Sequence, residues 1–185
     1  MNTIPTKTHV PKLSAIAAYL PGAYFHDSWA IMPEDPSLSA LDQFLKALLA
    51  TPLWVNKLMS IRNNAVAALG LKNLGTLSQL DQAKPVSAYK PGDRVGIFTL
   101  IANTANEVLL GDKDKHLDVV LSVHKGVDVN SGRVLVTVTT VVHVHNWLGR
   151  LYMLPVSPMH RVIAPTVLKA IGCAQKRPNS SINTG

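Results

Sequence analysis

The sequence predicts an α+β fold, in which a strand and two helices precede a run of antiparallel strands and one long C-terminal helix. Apolar residues recur at helical spacing between residues 38 and 69, alternate as in strands from Arg94, and return to helical spacing after Ser157. Short turns join the strand-like stretches, which favours antiparallel pairing over a βαβ arrangement. With 185 residues, 47 % hydrophobic and 16 % charged, the chain is long and apolar enough to form one folded domain.

The first half of the chain is predicted to contain one strand and two short helices. Ala23–Ile31 is rich in aromatic and β-preferring residues and lies between proline-containing turns, so we assign it to a strand. Asp35-Pro36 combines a helix-capping residue with a proline at the first helical position, which predicts a helix ending near Ala50. Thr51-Pro52 repeats this signal and predicts a second helix that ends at Gly70.

The second half is predicted to contain several strands and the last helix. Residues 71–92 read as a long connection, in which Val86–Tyr89 has the composition of a short strand. Charged Asp112–Lys115 and Asn130-Ser131-Gly132 are the predicted turns of the meander. Ser157-Pro158 is predicted to start the last helix, which Pro165 should bend because proline has no N–H to donate. The predicted strands are 95–102, 107–110, 117–124 and 134–145.

The faces of the last strand indicate how the sheet is covered. Its valines at even-numbered positions share one face with Thr140, whereas Val141 shares the other with threonines and histidines, so one face is predicted to be core and the other mixed. A curved antiparallel sheet wrapped around a long C-terminal helix is the helix-grip architecture of the START and birch-pollen-allergen superfamily, and the predicted element order is similar to it. We expect an N-terminal lead-in at 1–22, one helix-grip-like domain at 23–174, and a polar, disordered tail at 175–185.

The most distinctive segments are Phe25-His26-Asp27-Ser28-Trp29, Trp54 to Lys72, Gly111 to Asp118, Asn146 to Tyr152, and Pro158-Met159-His160-Arg161. Together they resemble a known family, the bacterial domain of unknown function family 2867. The resemblance extends from about Tyr24 to Gly172. It implies no established activity, but members occur alone or fused behind an NAD(P)-binding Rossmann domain, which implies work beside an oxidoreductase. This chain has no GxGxxG motif, so no cofactor binding is carried over and no cofactor is predicted.

The charge distribution argues against nucleic acid as a partner. The formal charge is +7, from 18 basic and 11 acidic residues, but four of the basic residues lie in the terminal segments and the others are scattered. No run of 18 apolar residues is present, so we predict no membrane partner. The single Cys173 has no partner for a disulfide or a zinc site, and the N-terminus imitates a signal peptide poorly. We therefore expect a cytoplasmic protein without a metal.

One candidate catalytic face contains Glu107, His116 and Asp118, which the parity of the predicted hairpin places on the same side. A histidine and an aspartate two residues apart can form an oriented acid–base pair or supply two metal ligands. A tight turn at Asn130-Ser131 places Asp118 opposite His143 and His116 opposite His145, whereas a bulge at Gly132 separates them. The competing interpretation is that this is only the solvated side of the sheet.

A second set of candidates is suited to binding a ligand. Arg62 lies in an otherwise apolar helix and needs either a structural carboxylate, for which Asp27, Asp118 and Glu107 are candidates, or a ligand anion. His160 is predicted near a helix N-terminus, where it can meet an anion or bond a neighbouring loop. The aromatic residues Trp54, Trp147 and Tyr152 are predicted either to line a cavity or to fill the core.

Three functional hypotheses follow. The leading hypothesis is a protein that binds a small, largely apolar molecule in a cavity between the sheet and the C-terminal helix. The second is an enzyme that uses the Glu107 face, or Arg62 with His160, for proton transfer. The third is a non-catalytic partner of a separate NAD(P)-dependent oxidoreductase.

Overall fold

A seven-stranded antiparallel sheet in the order β1-β2-β7-β6-β5-β4-β3 forms the centre of the computed structural model. The structure describes residues 4–68, 84–129 and 131–172, without the side chains of 62–68. The helices are α1 (Ala40–Leu49), α2 (Leu53–Ala68) and α3 (Trp147–Gly172), with a 3₁₀ helix at Ala15–Tyr19. The strands are β1 (Thr6–Lys7), β2 (Phe25–Ile31), β3 (Arg94–Val95), β4 (Phe98–Asn103), β5 (Glu107–Lys113), β6 (Leu117–Val127) and β7 (Val134–Val144).

The predicted α+β class and helix-grip-like arrangement are confirmed. Helices α1 and α2 follow β2, and the long helix α3 packs on one face of the sheet and against α1. Most of the predicted long connection (71–92) and all of the predicted C-terminal tail (175–185) lie outside the described residues. No helix in the described part of the chain is long and apolar enough to cross a bilayer.

Helix α3 begins at Trp147, ten residues before the predicted start at Ser157, so that prediction was wrong. Asn146 caps the helix, because its Oδ1 accepts a hydrogen bond from the backbone N–H of Gly149 at 3.1 Å. Three prolines lie inside the helix at positions 155, 158 and 165. The carbonyls that they leave without an internal donor belong to Leu151, Leu154 and Arg161, whose side chains are exposed. Water can bind these carbonyls on the exposed side of the helix. The helix can therefore continue through its prolines, and Pro158 does not mark a helix start.

Helix α1 also starts later than predicted. Its N-cap is Ser39, which forms a capping box with Asp42, and not Asp35. The Asp35 carboxylate instead accepts hydrogen bonds from the backbone and hydroxyl of Ser37 at 2.9 and 2.5 Å. Asp35 therefore closes the turn that precedes the helix.

The strand predictions need three corrections. The predicted strand 95–102 is two strands, because Gly96 adopts a left-handed φ of 61° and reverses the chain. Residues Val86–Ala88 form a 3₁₀ turn and not a strand. Strand β5 continues to Lys113, so Asp112 belongs to the strand and the turn is shorter than predicted.

The sheet is covered on both faces. The first face packs against α1 and α3 through a core that includes Val123, Val136 and Leu168. On the second face, the fully buried Ile16 of the 3₁₀ helix packs on Leu109, Val120 and Val141. The N-terminal segment that was predicted as a lead-in therefore contributes to the core.

Candidate functional site

A polar trio lies where α3 crosses the sheet. Asp27 on β2 and Thr140 on β7 are direct partners in the strand pairing, and both point to the first face. His160 approaches them from the middle of α3. The trio separates two apolar groups on the same face, the main core around Val138 and a smaller cluster around Met153.

Hydrogen bonds orient the imidazole of His160. Its Nδ1 lies 3.0 Å from Asp27 Oδ2, and its Nε2 lies 3.4 Å from the hydroxyl of Thr140. The indole N–H of Trp29 donates to the same Asp27 oxygen at 3.2 Å. When Nδ1–H donates to the carboxylate, the lone pair of Nε2 stays available to accept or abstract a proton.

Burial makes the Asp27 carboxylate unusual. Asp27 is 6 % exposed, and its Oδ1 is buried without a hydrogen-bond partner among the described residues. A buried carboxylate oxygen that lacks a donor is costly, and native proteins usually avoid it. The His160 side chain, in contrast, remains 25 % exposed, so the imidazole is accessible from outside. The ring of Phe25 meets the imidazole edge-on, with centroids 5.7 Å apart.

The predicted ligand-binding residues occupy different environments. Of these, His160 lies in the trio and Tyr152 packs on the Met153 cluster. Trp54 and Trp147 are exposed by 42 % and 70 %, at the starts of α2 and α3. Along α3, the Cα atom of Trp147 is about 20 Å from that of His160. The side chain of Arg62 lies outside the described part of the chain.

Glu107 lies apart from the other two predicted catalytic residues, His116 and Asp118. Glu107 and Asp118 share the second face as predicted, but Glu107 pairs with His124 and Asp118 pairs with Lys113. The six-residue offset along β6 corresponds to about 20 Å. His116 lies before β6, and its Nδ1 is within 3.2 Å of the side-chain amide of Asn146 at the start of α3.

Glu107 fastens the 3₁₀ helix to the sheet. Its carboxylate accepts hydrogen bonds from the hydroxyls of Ser14 and Ser122 and from the backbone N–H of Ala15, at 2.5, 2.6 and 2.9 Å. Burial raises the pKa of Glu107, but the hydrogen bonds from Ser122, Ser14 and Ala15 outweigh it and hold the pKa below its ordinary value. The observed contacts therefore give Glu107 a structural role.

The sequence left the register between β6 and β7 open, and the structure has the alternative without a bulge. Asp118 lies opposite His143, and the pairing continues without a bulge to Val127 opposite Val134. The backbone N–H of His145 donates to the carbonyl of His116, which continues the same register. The side chain of Asp118 pairs diagonally with His145 at 3.2 Å, and both side chains are partly exposed.

Thr140 was absent from the predicted site, and Asp27 was considered only as a partner for an arginine. One signal was present: Asp27 is the only charged residue among the alternating apolar positions Phe25, Trp29 and Ile31. An isolated acid on the core face of a strand indicates a buried partner. Nothing in the order of residues identified that partner as His160, which is 133 positions away.

An open cleft of about 230 Å³ lies at the β1 edge of the sheet, with Lys7, Asp128 and Leu135 in its walls. It contains none of the predicted site residues. Across the described ranges, no cluster of three or more His, Cys, Asp and Glu side chains is placed to hold a metal ion.

Comparison with known proteins identifies the family of this chain. The family model described as protein of unknown function (DUF2867) matches residues 19–167, which include β2, the polar trio and most of α3. No curated protein and no solved structure matches the chain. Since the family model covers most of the sequence, the chain belongs to the DUF2867 family.

Proposed function

We propose that the protein binds a small, largely apolar molecule between the sheet and α3, with His160 as its polar contact. The observation that carries this proposal is a carboxylate-oriented imidazole within an otherwise apolar interface. Small-molecule sites commonly combine apolar walls with a few precisely oriented polar groups.

The hydrogen-bonding capacity of the trio supports a ligand. Thr140 is at the limit of hydrogen-bond distance from His160 Nε2, so a closer donor on a ligand competes easily for that nitrogen. Asp27 Oδ1 offers a second acceptor. A molecule with a hydroxyl, amide or ammonium donor on an apolar body can donate to one of these two acceptors.

Native mass spectrometry of the freshly purified protein tests the proposal. We expect an extra mass in the native spectrum that disappears on denaturation. Either variant, His160→Gln or Asp27→Asn, should strongly reduce the intensity of this extra mass. The matched control is His145→Gln, because His145 also pairs with an aspartate but lies on the other face of the sheet. A bare polypeptide mass, or equal loss in the control, would contradict the proposal and favour a protein partner such as an oxidoreductase.

A second candidate function is acid–base catalysis on the bound molecule. The specific observation is that Asp27 orients His160 as a carboxylate orients a general base, with Nε2 directed away from it. Incubation of the released ligand with excess protein in D₂O distinguishes the two functions: proton abstraction from carbon predicts deuterium in the ligand with the wild type and none with His160→Gln. An unchanged ligand mass with both proteins would contradict catalysis and support binding as the only function of the site.

A further inference from the structure

We propose that the outer face of α3 is a docking surface for an anionic membrane. This outer face is formed by Trp147, Leu151, Leu154 and Val162, together with Arg150 and Arg161. All six side chains are exposed, and their spacing places them within one side of the helix. The four apolar side chains are 70 %, 46 %, 66 % and 58 % exposed, respectively, whereas the outer side of a surface helix is normally polar.

The outer face is large enough to form a contact surface. From Trp147 to Val162 it extends about 22 Å along the helix axis. The apolar residues occur in every turn but the one before Val162, where Pro158 stands. Scattered exposed apolar residues are common on proteins, but an apolar strip of this length along one side of a helix indicates an interaction surface.

The charge of α3 identifies the occupant. The helix contains no acidic residue, and none occurs anywhere from residue 129 to the end of the chain. Two copies meeting through this face would bring four arginines together without a carboxylate to balance them, so a second copy is disfavoured. An anionic surface that accepts apolar side chains satisfies both properties of the face.

The chemistry of a lipid headgroup layer matches this combination. Tryptophan and leucine insert at the boundary between headgroups and acyl chains, while arginine stems lie along the apolar region and extend their guanidinium groups to phosphate. The sequence-based expectation of no membrane partner rested on the absence of a spanning segment. A helix that lies on the membrane surface needs only one apolar face, so that criterion does not apply to it.

Co-sedimentation with lipid vesicles tests the proposal on the intact chain. We expect binding to vesicles of phosphatidylcholine mixed with phosphatidylglycerol, weaker binding to phosphatidylcholine alone, and a decrease in affinity as salt is raised. The double variant Leu151→Ser/Leu154→Ser should weaken binding at least about tenfold. The double variant Arg150→Gln/Arg161→Gln should weaken it about fivefold per charge.

Matched controls come from the other side of the sheet. Leu13 and Lys12 are exposed beside the 3₁₀ helix that covers the second face, so Leu13→Ser and Lys12→Gln should leave binding unchanged. Because all the altered side chains are exposed, the thermal midpoints of the variants should stay near that of the wild type.

Three results would overturn the proposal: no binding to either kind of vesicle, equal loss of binding in the controls, or equal affinity for charged and uncharged vesicles. A fourth would reassign the face. If vesicles do not bind and sedimentation velocity shows a dimer that Leu151→Ser/Leu154→Ser disperses, the occupant is a second copy.

Discussion

Replacing Glu107 with alanine removes the carboxylate that holds the 3₁₀ helix Ala15–Tyr19 on the sheet. Three donors lose their acceptor: the hydroxyls of Ser14 and Ser122 and the backbone N–H of Ala15. A hydrogen bond to a charged group contributes about 1.5–3 kcal/mol. The two hydroxyls lie 3.4 Å apart and can partly satisfy each other, so the three losses do not add fully. We expect a total loss of about 3 kcal/mol in the free energy of docking this segment.

That loss is comparable with the contribution of the remaining contacts that hold the 3₁₀ helix on the sheet. Full burial of an isoleucine side chain such as Ile16 contributes about 1.5–3 kcal/mol, and the carbonyl of Tyr19 also lies 2.8 Å from Nε2 of His143. The segment should therefore open locally before the sheet unfolds. Glu107→Gln should have a smaller effect, because the amide keeps one acceptor oxygen.

Hydrogen exchange followed by mass spectrometry measures the opening directly. We expect the peptide that covers residues 13–20 to exchange about a hundredfold faster in Glu107→Ala, with little change in β6 and β7. The matched control is Glu34→Ala, which removes a partly exposed carboxylate that pairs with Lys46 and should cost at most about 1 kcal/mol. If the peptide exchanges at the wild-type rate in Glu107→Ala, the carboxylate does not hold the segment and the reasoning is wrong.

Three further predictions concern pH and stability. Because hydrogen bonds lower the folded-state pKa of Glu107, its stabilising contribution is present above the unfolded value of about 4.3 and is lost as pH falls through the folded-state pKa; the stability difference between wild type and Glu107→Gln, measured by urea unfolding, should shrink on acidification below about pH 4.3, and a constant difference would contradict this. Gly149→Ala should destabilise the protein by about 1–3 kcal/mol despite the better helix propensity of alanine, because the new Cβ would clash with the His116 carbonyl oxygen. An unchanged or raised thermal midpoint would show that this contact relaxes freely. Ser39→Ala should cost about 1 kcal/mol by removing the capping box with Asp42, and an unchanged urea midpoint would argue against that cap.

Local patterns predicted most of the elements, and the errors have physical causes. Apolar periodicity located both helices after β2 and the strands of the meander, because burial of one face imposes the same spacing on any sequence. The start of α3 was misplaced because Ser157-Pro158 looks the same in the sequence whether it starts a helix or lies within a continuing one. The division of β3 from β4 depended on one left-handed glycine, Gly96, whose conformation the strand pattern does not reveal.

The sequence by itself determined the α+β class and the family, since each depends on residues close together in the chain or on the order of the elements. Only the tertiary structure decided the β6–β7 register, the meeting of Asp27, Thr140 and His160, and the distance of Glu107 from Asp118. The separation of 133 residues between Asp27 and His160 explains this difference. Contacts of that range depend on how β2 pairs with β7 and how α3 crosses the sheet, and these follow from the packing of the whole chain.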